Sequence, residues 1–315
     1  MAIAARSPRA ARVQARARCI LVVGMHRSGT SGVTRTLHNL GADVPQNLIE
    51  AERDNPDGFW ESRDIVKAHD RFLEAIGSHW DDPMPIPSAA FDTPVAAACR
   101  TEILEHLRRD FSDSQLFVIK DPRLCRLMPI WRAVLDVFGA EPLIVHPVRN
   151  PFEVALSLHR RNRTPQEQAL ALWLVHSLYA ERDTRGMRRL FIRYDRFISA
   201  PVESASALSA RLDCFSPDRL AAELERIRSQ WSPRLRHHAI DDSRVLEDAD
   251  TPTWVRATYD WVTAAADGAE PAPAVIDQII EGLEHAMEVY GRMIPVRYAP
   301  VRSTRLSRWM RRFKP

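Results

Sequence analysis

The stretch Cys19 to Leu40, read as CILVVGMHRSGTSGVTRTLHNL, restricts the folds open to this chain more than any other. Ile20, Leu21, Val22 and Val23 form an apolar run too short for a helix, which predicts a buried parallel strand ending at Gly24. Gly24 to Thr30 predicts a turn. From Ser31 onward Val33, Leu37 and Leu40 recur at helical spacing, and Gly41 stands where a left-handed C-terminal cap is expected. Strand, glycine loop and helix make an anion cradle, because the loop N–H groups and the positive dipole end of the helix converge on one point.

The spacing Gly24-x4-Gly29-Thr30-Ser31 is that of a Walker A loop in which Thr30 takes the place of the lysine. This argues against an ordinary kinase or ATPase. GMHRSGTS after a hydrophobic strand resembles the 5'-phosphosulfate-binding loop of the P-loop sulfotransferases, in particular a bacterial sulfotransferase-like subgroup. The resemblance implies 3'-phosphoadenosine 5'-phosphosulfate (PAPS) as donor, held by Gly24, His26, Arg27, Ser28, Gly29, Thr30 and Ser31, with Arg27 neutralising the phosphosulfate. The fold it implies is an α/β three-layer P-loop fold with a central, mostly parallel sheet and a helical C-terminal third.

Three further segments extend the resemblance, which runs from about Cys19 to Pro201. A predicted strand, Leu116 to Ile119, ends in Lys120-Asp121-Pro122-Arg123, and functional side chains of open parallel sheets gather at such carboxyl ends. The same subgroup carries a similar KDPR; a structural ion-pair knot is the alternative reading. A third strand, Pro142 to Val148, leads into Arg149-Asn150-Pro151, where the proline marks a second helix start at the same sheet edge. This segment resembles the 3'-phosphate-binding element of sulfotransferases, with Arg149 and Ser157 in the two binding positions. The fork of an Arg suits a phosphate dianion. A fourth strand is predicted over Leu190 to Tyr194, and Arg193 to Pro201 resembles the family's YEDL stretch, read here as structural.

Between these elements, helices are predicted over Val95–Phe111, Leu127–Phe138 and Gln166–Arg182, and over residues 202–230, 253–266 and 273–291. His176 on the long amphipathic helix reads as packed or solvated. Asn55-Pro56-Asp57-Gly58 is turn chemistry that delivers Phe59, Trp60 and Glu61 to a helix bearing Ile65, Val66, His69, Phe72, Leu73 and Ile76. Transfer of a sulfuryl group to a hydroxyl needs a base, and the candidates are Glu61, His69 and Asp57. Glu61 is favoured, since it follows a rigid turn with two aromatics fit to stack on a ring. Arg27 and Lys120 would stabilise the charge building on the departing 5'-phosphate. No metal is required by this layout.

The composition is that of a globular protein, with 315 residues and 45% hydrophobic content. Cys19, Cys99, Cys125 and Cys214 are widely spaced, supporting neither a disulfide framework nor a zinc site and pointing to a reducing compartment. Residues 1–18 carry five Arg, and residues 297–315 carry six Arg and one Lys, with no acid in either segment. The first reads as a disordered basic leader and the second as a basic amphipathic tail, flanking a domain over residues 19–296. On a helix, Leu306, Trp309, Met310 and Phe313 would form an apolar stripe suited to peripheral membrane contact; docking of the tail on the donor is the alternative. No run approaches the roughly 18 apolar residues of a membrane span. The expectation is a soluble bacterial enzyme, cytoplasmic or peripheral at the inner face of the membrane, with a glycan, glycolipid or small-molecule hydroxyl acceptor and no nucleic-acid partner. A small-molecule P-loop kinase and an inactive nucleotide- or glycan-binding protein of the same fold remain the alternatives.

Overall fold

The computed structural model describes residues 16–52, 55, 58–230 and 240–290. Asp57, residues 1–15 of the leader and the whole 297–315 tail lie outside the described residues. Four parallel strands form one sheet: β1 (Arg18–Val22), β2 (Leu116–Lys120), β3 (Glu141–Val148) and β4 (Arg188–Arg193), in the order β2-β1-β3-β4. Val22 is level with Lys120 on one side and Val145 on the other, and Val148 is level with Arg193. The chain leaves β1 toward β2 and then crosses back to β3, so the order reverses between β1 and β3. A crevice at the carboxyl ends of the strands opens at such a reversal.

Strand alternation sorts the two faces of the sheet. Cys19, Leu21, Phe117, Ile119 and Ile144 face helices α2 (Arg63–Ala75), α3 (Pro94–Phe111) and α4 (Leu124–Phe138). Ile20, Val22, Val118, Leu143 and Val145 face α1 (Thr30–Asn39) and α8 (Pro201–Leu212), the latter reached from β4 through α7 (Tyr194–Ser199). A third core joins α5 (Pro151–Asn162) and α6 (Gln166–Asp183) to α11 (Thr253–Ala266) and α12 (Ala274–Tyr290), with α9 (Pro217–Gln230) and α10 (Ser243–Leu246) between them in sequence. The result is the three-layer α/β arrangement with a helical C-terminal third. Among the described residues no helix is long and apolar enough to cross a membrane.

Some boundaries differ from the sequence reading, each for a local reason. Strand β1 already begins at Arg18, the last residue assigned to the leader. Helix α4 starts a turn before Leu127, with Arg123 as its N-cap and Asp121 Oδ1 accepting the Arg123 N–H at 2.9 Å in the turn that leads in; Pro129 is accommodated inside the helix. Strand β4 stops at Arg193, and Tyr194 opens α7. The helix predicted over 202–230 is two, because Asp213 turns left-handed at φ 48° and Pro217 opens the next helix.

Candidate active site

The loop after β1 has the strained geometry an anion cradle needs. Arg27 and Gly29 both adopt left-handed backbone, at φ 69° and 85°, and Gly29 is the N-cap of α1. A Cβ on Gly24 would stand 3.1 Å from Thr30 Cγ2 and 3.2 Å from Pro147 Cδ, so the loop and the end of β3 approach each other closely at this glycine. The first-turn N–H groups of α1 have no intrahelical acceptor, as at any helix start.

The segment after β3, the second candidate anion-binding element, is joined to this loop directly. Arg149, one residue past β3, donates from Nη1 to the Arg27 carbonyl at 2.7 Å, and Arg27 Nε donates to Ser157 Oγ on α5 at 2.8 Å. Glu153 Oε2, one turn into α5, holds Arg149 Nε at 2.9 Å, while its other oxygen accepts the Ile240 N–H at 3.0 Å. Trp173 fixes the Arg149 carbonyl at 3.1 Å. Two guanidinium groups and a hydroxyl thus meet at one sheet edge, where Asn150 caps α5 by accepting the Phe152 N–H.

Tyr194 completes this side of the crevice, a role the sequence reading missed by treating Arg193 to Pro201 as structural. The Arg149 guanidinium lies 4.4 Å from the centroid of the Tyr194 ring, and a Cβ on Gly29 would fall 2.2 Å from the same ring. The available signal was its place at the carboxyl end of β4, beside β3. Gly29→Ala combines that overlap with a left-handed φ costing about 1–2 kcal/mol. We expect it to push Tyr194 off Arg149 and to weaken nucleotide binding about tenfold, measured by calorimetry; unchanged affinity would show that the ring has no part in shaping the cradle.

Across the loop, on the β2 side, stands an ion pair. Lys120 Nζ donates to Glu61 Oε1 at 2.5 Å and to the Phe59 carbonyl at 3.0 Å, and lies 3.5 Å from Ser31 Oγ on α1. Glu61 and Lys120 are 6% and 4% exposed. The turn read from the sequence delivers Glu61 here: Asn55 Nδ2 reaches the Gly58 carbonyl at 2.8 Å, Gly58 has φ 85°, and Ser62 accepts the Ile65 N–H as the N-cap of α2. The two aromatics diverge. Trp60, itself left-handed at φ 61°, packs near His38 of α1, while Phe59 stays beside Lys120.

The KDPR tetrad divides between the two readings made of it. Lys120 faces α1 and Glu61, whereas the next residue, on the opposite face of the strand, enters a buried knot. Asp121 Oδ2 is 2.8 Å from His69 Nδ1, its Oδ1 accepts from Arg123, and Arg123 also grips Asp70 at 2.6 Å and 3.2 Å. Burial works to raise the Asp121 pKa, but the Arg123 charge and the His69 hydrogen bond outweigh it and hold the carboxyl well below the usual range.

This settles where the remaining sequence candidates sit. His69 is fully buried, and its Nε2 accepts the Trp131 indole N–H at 2.9 Å. An indole can only donate, so Nδ1 carries the hydrogen toward Asp121 and neither nitrogen is left for an incoming hydroxyl. His26 belongs to the loop, yet its ring stands edge-on to Trp80 at 4.8 Å and 6.5 Å from His176 of α6. Its Nε2 has no hydrogen-bond partner among the described residues. Burial first, and then the nearby positive charges, hold its pKa well below the ordinary value. His176 is packed, donating from Nδ1 to the Leu172 carbonyl at 2.8 Å, and burial pushes it down to about 3. The structure therefore brings together Gly24, Arg27, Ser28, Gly29, Thr30, Ser31, Arg149 and Ser157, with Glu61 and Lys120 alongside, and sets His69 apart.

Solved structures that match this chain include three sulfotransferases of low identity. The sulfotransferase domain from the curacin biosynthetic pathway covers 81% of this chain and 99% of that chain, at 15% identity and a TM-score of 0.45. The sulfotransferase domain from the Synechococcus PCC 7002 olefin synthase covers 81% and 96%, at 16% identity and 0.44, and sulfotransferase STF9 from Mycobacterium avium covers 89% and 77%, at 16% and 0.43. No curated protein matches the sequence. A sulfotransferase family model matches residues 19–218, more than half of the chain and the whole of the crevice described above, and the chain belongs to the sulfotransferase family.

Proposed function

We propose that this protein transfers a sulfuryl group from PAPS to a hydroxyl of a glycan, glycolipid or small-molecule acceptor. The observation that carries the reading is the physical union of the two anion elements, Arg149 bonded to the Arg27 carbonyl and Arg27 to Ser157. A donor with separate 5'-phosphosulfate and 3'-phosphate groups calls for two cationic points at one sheet edge. Arg27, Ser28 and the N–H groups of Gly29, Thr30 and Ser31 would hold the phosphosulfate, in a cradle that Gly24 and Gly29 keep free of side chains; Arg149 and Ser157 would hold the 3'-phosphate.

The donor supplies an activated sulfuryl group, and the residues do the rest. Glu61 takes the proton of the acceptor hydroxyl as its oxygen bonds to sulfur, and the bond from sulfur to the 5'-phosphate oxygen breaks in line. Arg27, the loop N–H groups and Lys120 meet the charge left on that oxygen. The products are a sulfate ester and adenosine 3',5'-bisphosphate (PAP). Glu61 is the base in this scheme because it adjoins the loop, while both nitrogens of His69 are engaged in the knot. All four cysteines are free thiols, which supports a reducing, cytoplasmic setting.

Calorimetry with PAP and adenosine 5'-phosphate tests the donor assignment. The wild type should bind PAP far better, and Arg149→Ala should remove most of that preference, roughly ten- to a hundredfold for an Arg at a desolvated phosphate. Equal binding of the two nucleotides by the wild type would refute it.

A further inference from the structure

Arg126, in the first turn of α4, is 4% exposed, yet none of its hydrogen-bond acceptors among the described residues is a carboxylate. A buried arginine is ordinarily paired with an acid, because burial opposes its charge. Here burial depresses its pKa below the ordinary value, and its Nε finds no acceptor among the described residues. The fork is spent instead on one irregular stretch between α2 and α3, residues 78–84. Nη1 donates to the His79 carbonyl at 2.9 Å, and Nη2 donates to Ser78 Oγ at 3.1 Å and to the Met84 carbonyl at 2.8 Å. The stretch is tied further by its own Asp82, which accepts from Ser78 Oγ at 2.7 Å and from the Met84 N–H at 3.0 Å, and by Gln168 of α6, which donates to the Asp81 carbonyl at 3.3 Å. A surface connection of this kind is usually among the looser parts of a fold, and this one is fastened from the core.

What the stretch carries to the crevice is Trp80, whose ring meets that of His26 edge-on with centroids 4.8 Å apart. His26 and Arg27 are the two central residues of a turn that the Ser28 N–H closes on the Met25 carbonyl at 3.1 Å. Arg27 is the third residue of that turn and has φ 69°, where such turns ordinarily place a glycine. The left-handed region is disfavoured about tenfold or more for a residue with a side chain, and it persists only where the neighbours over-determine it. One such neighbour is Arg149, which donates to the Arg27 carbonyl. The other central residue of the turn is His26, and Trp80 is packed against it.

We propose that Arg126 and Trp80 are positioning residues for the donor. Arg126 fixes residues 78–84, Trp80 fixes His26, and the turn thereby keeps Arg27 in its left-handed conformation before a nucleotide arrives. This rests on the PAPS reading above and adds to it two residues that act through the loop. A site held in its bound shape spares the ligand the cost of ordering it, so the effect falls on donor affinity.

Calorimetry with PAP on the full chain tests this. Trp80→Ala should weaken PAP binding about tenfold, and Trp80→Phe, which still offers a ring to His26, should recover most of the loss. Arg126→Lys keeps a charge but not the fork that reaches three acceptors, and its affinity should fall between the two. Arg126 is buried, so should that variant fail to fold, the Trp80 pair decides the matter, since Trp80 is half-buried on a surface connection. A double-mutant cycle separates positioning from general damage: in a His26→Ala background Trp80→Ala should weaken PAP binding by less than about twofold further, because the contact it removes is already gone. Unchanged PAP affinity in Trp80→Ala, or a loss that multiplies in full with that of His26→Ala, would overturn the proposal and leave the donor assignment standing. Failure of the wild type to bind PAP would instead overturn the donor assignment, and this proposal with it.

Discussion

Glu61→Gln is expected to lower kcat by about a hundredfold or more while leaving PAP affinity within about twofold of the wild type. The substitution is chosen for what it preserves. The Gln side chain keeps a carbonyl oxygen where Glu61 Oε1 now accepts from Lys120 at 2.5 Å, so the loop that carries Phe59 and the ammonium beside Ser31 stay in place. What the amide lacks is the ability to accept the acceptor's proton. Removing the whole side chain would confound the result, because the buried Lys120 ammonium would then lose its hydrogen-bond acceptor as well as the charge opposite it. Full turnover in Glu61→Gln, measured with saturating PAPS, would exclude Glu61 as the base.

The strand–loop–helix unit was legible because each of its parts has a local cause. An apolar run, two glycines in close quarters and a helical period all lie within one short stretch, and the structure reproduces them with Gly29 as the N-cap of α1. The parallel sheet was legible for the same reason: Leu116, Pro142 and Leu190 open short apolar segments separated by helical ones, and all three lie in strands. Boundaries set by tertiary contacts were not. The turn before α4 holds an Asp121 carboxylate bonded to His69 and Arg123, and a sequence window carries no sign of the His69 contact.

The placement of His69 was partly legible. Its spacing with Ile65, Phe72 and Leu73 puts it on the buried face of α2, and an imidazole on an apolar face is more often satisfied internally than exposed to a ligand. Strand alternation alone also implies that Lys120 and Asp121 face opposite sides of the sheet, so one tetrad could supply both an active-site cation and a structural anion. The Arg149–Tyr194–Gly29 stack was hidden, because it joins three segments far apart in the chain.

Asp121→Ala is expected to destabilise the fold by about 3–5 kcal/mol, the cost of breaking a buried charge pair from one side. Asp121 is 1% exposed and accepts from His69 Nδ1, from Arg123 Nη1 at 3.0 Å and from the Arg123 N–H at 2.9 Å. Its removal leaves the His69 hydrogen unpaired, and through His69 it loosens the Trp131 indole in the centre of the core. Arg123 keeps Asp70 but loses the partner that neutralises it from the strand side. Against a total stability of roughly 5–15 kcal/mol this is a large fraction, and Tm should fall on the order of 10 °C. The pH dependence gives the contribution a signature. The folded carboxyl titrates well below its unfolded value near 3.9, so its stabilisation is complete above about pH 5 and is withdrawn as pH falls through about 4 toward the folded pKa. The gap in stability between wild type and Asp121→Ala, measured by urea unfolding, should therefore narrow steadily on acidification below about pH 4. A gap that stays constant from neutral pH to about 3, or one under about 1 kcal/mol at neutral pH, would show that the knot beneath Lys120 does not depend on the Asp121 charge.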